Sequence, residues 1–217
     1  MVAIPDVPPV ACEKVYSDLT HARVERDSVV KFEGTYSIKP DALETNGYAV
    51  YGEGVLPSSL AEPFVRIKCL MEVFPGEGEI VRIGVITNYD PVAQTGSSYW
   101  LEFTRTLGVK SIKFVAGTID ISGVNVEGTE VDSDTENDTA AWMVGTENWA
   151  TIDIHLEEVT AYIYLYDSGG LLKFSKSLTK QPTDLGTVGV FMYDPTLGPT
   201  SKPHIDNIYV DDESPYA

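Results

Sequence analysis

An all-β fold is what this sequence predicts, and three observations carry it. Apolar residues recur with period two along most of the chain. Gly, Pro, Asn and Asp break that alternation at short intervals, and no segment keeps a helical period over three turns. Successive strand side chains point to opposite faces, so each alternating run has one face to bury.

Val65, Ile67, Cys69, Met71 and Val73 alternate with Arg66, Lys68 and Glu72, the pattern of a half-buried strand. The turn PGEGE follows, and residues 79–87 (EIVRIGVIT) read as its hairpin partner. Residues 98–105 set Tyr99, Leu101 and Phe103 against Trp100, Glu102 and Thr104, and the pattern resumes over 111–116 after a Leu-Gly turn. Residues 150–157 place Ile152, Ile154 and Leu156 opposite Asp153, His155 and Glu157. Next comes YIYLY, with Tyr162, Tyr164 and Tyr166 on one face and Ile163 and Leu165 on the other. A Gly169-Gly170 turn, residues 171–178, the apolar run 188–193 and the closing 204–210 complete roughly a dozen strands.

Two segments depart from the pattern. Residues 4–9 (IPDVPP) cannot donate a regular hydrogen-bond ladder, so residues 1–15 are expected as an extended Pro-rich arm lying on their own domain or on a neighbouring copy. Residues 130–138 (EVDSDTEND) are polar and acidic and read as a loop.

The chain carries 33 acidic residues against 15 basic ones, a net charge of -18. A field of that sign repels nucleic-acid backbones and anionic lipid, which excludes both as expected partners. No run is apolar enough to span a bilayer, and the opening residues lack the charge and apolar core of a secretory signal. Cys12 and Cys69 lie far apart, and Cys69 sits on an apolar face, so a buried thiol is expected there rather than a disulfide framework.

Several local patterns occur in a telling order: residues 30–38, Tyr99-Trp-Leu-Glu-Phe103, Trp149-Ala-Thr-Ile-Asp-Ile-His155, Tyr166-Asp-Ser-Gly-Gly170 and His204-Ile-Asp-Asn-Ile-Tyr-Val210. This order resembles the concanavalin A-like lectin and glucanase superfamily, which also holds laminin-G-like modules. The resemblance covers most of the chain from about Val24 onward. It implies a two-sheet antiparallel jelly-roll sandwich over residues 16–217, with a concave inner sheet that binds glycans. It further implies that the FEGTYSI-like and DNIYV-like strands lie side by side in the outer sheet. The tyrosine strand then belongs to the inner sheet, with Tyr162, Tyr164 and Tyr166 facing the groove.

Catalytic chemistry is hard to find. Glycosidases of this superfamily need paired carboxylates in a Glu-x-Asp-x-x-Glu pattern, and the nearest stretch, Glu130-Val-Asp-Ser-Asp134, ends on the wrong residue among hydrophilic neighbours. His21, His155 and His204 are scattered, and there is no nucleophile elbow. His155 beside Asp153 and Glu157 reads as a solvent-exposed strand face. Asp132, Asp134 and Asp138 offer oxygen ligands at near-alternate positions, as a calcium loop does. The glycine and distal glutamate of such loops are missing, so a solvated loop without a cofactor is expected, calcium being the one metal these residues would take.

Aromatic residues remain. Trp100 shares a face with Glu102 and Thr104, which points to an exposed ring, and sugars stack on exposed rings. Trp100, Glu102, Tyr162, Tyr164 and Tyr166 are therefore the candidate carbohydrate-binding residues, against the competing reading that the rings pack under loops or against another subunit. The expected function is a non-enzymatic structural or adhesive subunit displayed on a larger assembly, such as a phage virion, with other subunits or its own copies as partners and a glycan as a further one. Its expected location is a virion surface, or outside the cell after lysis. The alternative is a carbohydrate-active module, either a binding domain or a lyase or hydrolase with atypical residues.

Overall fold

The computed structural model describes residues 24–34, 37–40, 47–51, 62–90, 92–93, 95–120, 127–137, 140–179, 189–194 and 203–211. The Pro-rich segment 1–15 and Cys12 lie outside them. The strands are β1 (Val24–Asp27), β2 (Ser37–Pro40), β3 (Gly47–Tyr51), β4 (Phe64–Met71), β5 (Ile80–Asp90), β6 (Thr95–Thr106) and β7 (Val109–Asp120). They continue as β8 (Glu127–Asn137), β9 (Ala150–Leu156), β10 (Thr160–Tyr166), β11 (Leu172–Thr179), β12 (Gly189–Asp194) and β13 (Pro203–Asp211). The only helical turn among the described residues is a short 3-10 turn, Ala141–Met143.

Two antiparallel sheets form the expected jelly-roll sandwich. One has seven strands in the order β1-β2-β13-β4-β9-β10-β11, the other six in the order β3-β12-β5-β6-β7-β8. The apolar half of each alternating pattern fills the space between them. Val65, Ile67, Cys69, Ile152, Ile154, Ile163 and Leu165 from one sheet meet Val81, Ile83, Val85, Leu101, Phe103 and Phe114 from the other, all fully buried. Each such side chain contributes roughly 1.5 to 3 kcal/mol of transfer free energy.

Several expectations are corrected here. Residues 79–87 are not the hairpin partner of β4: β4 pairs with β13 and β9, while β5 pairs with β12 and β6 in the opposite sheet. The intervening loop crosses between layers because Phe74 turns inward against Phe103, with centroids 6.5 Å apart, and Gly78 N donates to Arg105 O at 3.0 Å. Nor is β4 half buried, since only Lys68 escapes full burial. The FEGTYSI-like strand begins at Ser37, and residues 28–34 form a strap whose Phe32 and Glu33 amides donate to Asp206 Oδ2.

The acidic segment 130–138 is not a loop through residue 137. It forms most of β8, paired with β7 at the edge of the six-stranded sheet. An edge strand has a neighbour on one side only, which is where a sheet tolerates charge. Asp132 and Asp134 are register partners of Ala116 and Phe114, so the ladder takes the place of the predicted loop, and Asp138 lies outside the described residues.

Ile38 and Ile205 are register partners, so β2 and β13 lie side by side as the resemblance implies. The tyrosine strand, however, shares their sheet instead of belonging to the other one. A tight turn over 157–159 makes β10 the hairpin neighbour of β9, and β9 is tied to β13 through β4.

Candidate functional site

Alternation leaves the second face of the seven-stranded sheet to polar and aromatic side chains. Register sets them in rows across the strands: Phe64, His155, Tyr162 and Ser177 in one, Arg66, Asp153, Tyr164 and Ser175 in the next, Lys68, Thr151 and Tyr166 in the third. The second row is anchored by an ion pair. Arg66 Nε donates to Asp153 Oδ1 at 2.6 Å and Nη2 to Oδ2 at 2.5 Å, with both side chains buried. Two-pronged geometry of this kind suits a guanidinium removed from water.

Against this base the rings stand in series. His155 stacks on Tyr162 with centroids 6.5 Å apart and planes at 30°, and Tyr162 stacks on Tyr164 at 6.4 Å and 10°. Phe64 meets His155 edge-on at 6.4 Å. Toward β9 the two tyrosines are therefore walled by His155 and the Arg66–Asp153 pair. Toward β11 their register partners are Ser177 and Ser175, both exposed and small, so the rings open on that side. Partial burial, the Tyr162 phenol and the charge of Glu157 together raise the Tyr164 pKa, so Tyr164 stays a neutral hydrogen-bonding group over the physiological range.

Tyr162 and Tyr164 are half-buried as a contact surface requires, but Tyr166 is sealed at 0% exposure, which removes it from the candidate set. The expected solvent-exposed face of β9 is also corrected: Thr151, Asp153 and His155 are buried because Arg66, Lys68 and the tyrosines close over them. Lys68 Nζ donates to Thr151 Oγ1 at 2.6 Å and lies 4.7 Å from the Phe32 ring centroid, and burial followed by the Arg66 charge lowers its pKa.

A second polar cluster holds the strap. Asp27 Oδ2 accepts from Lys39 Nζ at 2.9 Å and lies 3.3 Å from His204 Nε2, while Oδ1 accepts from the Val29 and Val30 amides. Burial raises the Asp206 pKa despite the amides of Phe32, Glu33 and Asn207 that its carboxylate accepts.

Trp100 and Glu102 lie elsewhere, on the outward face of the six-stranded sheet. The expected exposed Trp100 is 1% exposed, among buried Ile86, Ser98 and Val115. Its strand neighbour Gly84 explains the close fit, since a Cβ there would lie 2.1 Å from the Tyr99 carbonyl oxygen and 2.7 Å from Trp100 Cβ. Arg82 Nε donates to Glu102 Oε2 at 2.8 Å, and its guanidinium carbon lies 5.7 Å from the indole centroid. The five candidates therefore divide between two sheets, and only Tyr162 and Tyr164 stand together as a partly open aromatic surface. Sequence reading missed Arg66, Ser175 and Ser177. An arginine and an aspartate on the polar sides of two otherwise apolar strands were the signal for the first.

No family model matches the chain, and no curated protein matches it. Solved structures do. A legume lectin-like domain from Entamoeba histolytica aligns with a TM-score of 0.53 at 7% identity, over 88% of this chain and 91% of that one. The lectin from Bauhinia forficata in complex with GalNAc gives 0.52 at 9%, over 90% and 94%. The exoplasmic/lumenal domain of VIP36 in its Ca2+- and mannose-bound form gives 0.52 at 10%, over 88% and 82%. With its two-layer strand order and this coverage, the chain has the legume lectin-like, concanavalin A-like jelly-roll fold.

Proposed function

We propose that the protein is a non-enzymatic carbohydrate-binding module whose contact surface is the Tyr162–Tyr164 pair. One observation carries the reading: two nearly parallel rings, partly exposed, open toward Ser175 and Ser177 and are backed by His155 and the Arg66–Asp153 pair. Sugars present C–H faces that stack on such rings and hydroxyls that the phenols and serines can bind. Lectin structures of the same fold hold GalNAc and mannose, which supports the choice of ligand class. A non-enzymatic role is favoured because Asp153 and Asp206 are already engaged, one by a guanidinium and the other by backbone amides.

A glycan array with the wild-type protein tests this. A hit is expected to lose about tenfold in affinity in Y162A and again in Y164A, with the glycan recovered intact. No hit from well-folded protein would retire the proposal. Display on a larger assembly, a virion included, rests on the sequence alone, and light scattering showing a lone monomer would count against it.

A further inference from the structure

We infer that the tyrosine surface selects its saccharide by charge, preferring amino sugars to neutral ones and neutral ones to uronic or sulfated ones. This rests on the reading of Tyr162 and Tyr164 as a saccharide contact. Among the described residues, Arg66, Lys173 and Lys68 beside that surface are already committed. Arg66 is bound to Asp153, Lys173 Nζ sits 3.1 Å from Asp167 Oδ2, and Lys68 is engaged by Thr151 and the Phe32 ring. An acidic sugar would have to displace one of these partners to find a counter-charge.

Carboxylates stand instead at the end of that surface formed by the β9–β10 turn. Glu157, with 46% of its side chain exposed, lies in the β9–β10 turn with an oxygen 3.6 Å from His155 Nδ1, near enough to Tyr164 for its charge to act on that phenol. Glu158 is exposed in the same turn. An ammonium is drawn to the face of a tyrosine ring and to such a carboxylate together. The net charge of -18 adds a longer-range field of the same sign, which salt screens beyond about 8 Å. At physiological ionic strength the local Glu157 charge therefore dominates the preference.

The test is calorimetric titration with oligomers of glucosamine, N-acetylglucosamine and glucuronic acid of equal length, at low and at roughly physiological salt. The amine oligomer is expected to bind about tenfold tighter than the N-acetyl oligomer at low salt, with the uronate weakest. E157Q should remove most of that advantage, bringing the affinity of the amine oligomer close to that of the N-acetyl oligomer. The inference is overturned if the uronate binds as tightly as the amine. It is also overturned if the amine preference persists undiminished in the Y162A/Y164A double variant, which would assign it to bulk charge. Failure of the wild type to bind any of the three overturns the saccharide-contact reading along with it, whereas N-acetyl binding without an amine preference overturns the charge selection alone.

Discussion

Arg66 and Asp153 face each other across β4 and β9 through two parallel hydrogen bonds, with Asp153 wholly buried and Arg66 nearly so. Their mutual attraction offsets the cost of taking both from water, and removing one partner strands the other. R66A and D153A are each expected to lose about 3 to 5 kcal/mol in urea unfolding. A double replacement by apolar residues of similar volume should recover much of that loss. Full additivity of the two single effects would disprove the coupling.

Trp100 separates packing from binding. Its ring is buried, so W100A is expected to cost about 3 to 5 kcal/mol of stability and to leave saccharide affinity, measured on the folded fraction, unchanged. Selective loss of affinity at full stability would return Trp100 to the contact surface.

Asp27 gives a pH dependence whose sign is fixed. Burial alone would raise its pKa, but Lys39, the Val29 and Val30 amides and His204 outweigh burial and hold it well below the ordinary 3.8. The folded state then binds this proton less readily than the unfolded chain, so the contribution is fully present above about pH 4 and is lost as pH falls through the lowered value. At neutral pH D27N should be less stable than wild type by roughly 1 to 3 kcal/mol. The gap between them should shrink on acidification below pH 4, and a gap that widens there would contradict the assignment.

Leu107 sits in the β6–β7 turn with φ 51°, followed by Gly108 at φ 80°, and is 91% exposed. Two successive positive φ angles make the tight hairpin turn that favours Asn-Gly, and a leucine there is strained with little packing in return. The Leu107 and Gly108 amides donate to Glu77, bonds that a new side chain leaves intact. L107N is expected to raise stability by about 0.5 to 1 kcal/mol, read as a higher melting temperature.

The inner half of the fold was legible because period two alone sorts Val65, Ile67 and Cys69 or Ile152 and Ile154 to the core. The outer half was not. Trp100 and His155 share their strand faces with charged residues, which reads as exposure, yet register brings Arg82 to Glu102 and Arg66 to Asp153 and lets those faces close. Pairing between distant strands carries no local signature, which is also why the partner of β4 was misassigned to β5. Tyr162 and Tyr164 were found because their alternation with Ile163 and Leu165 set them on the outer face, where the small Ser175 and Ser177 leave them partly open, and Tyr166 was misjudged because identical spacing along one strand does not guarantee an identical roof.

The placement of β13 between β2 and β4, and of β12 between β3 and β5, has a bearing on synthesis. Each layer stays in two fragments, with raw hydrogen-bonding margins, until residues 189–211 leave the ribosome to join them. A nascent chain stalled short of that point would need a holdase, and closure is expected to be slow, as is typical of distant strand pairing.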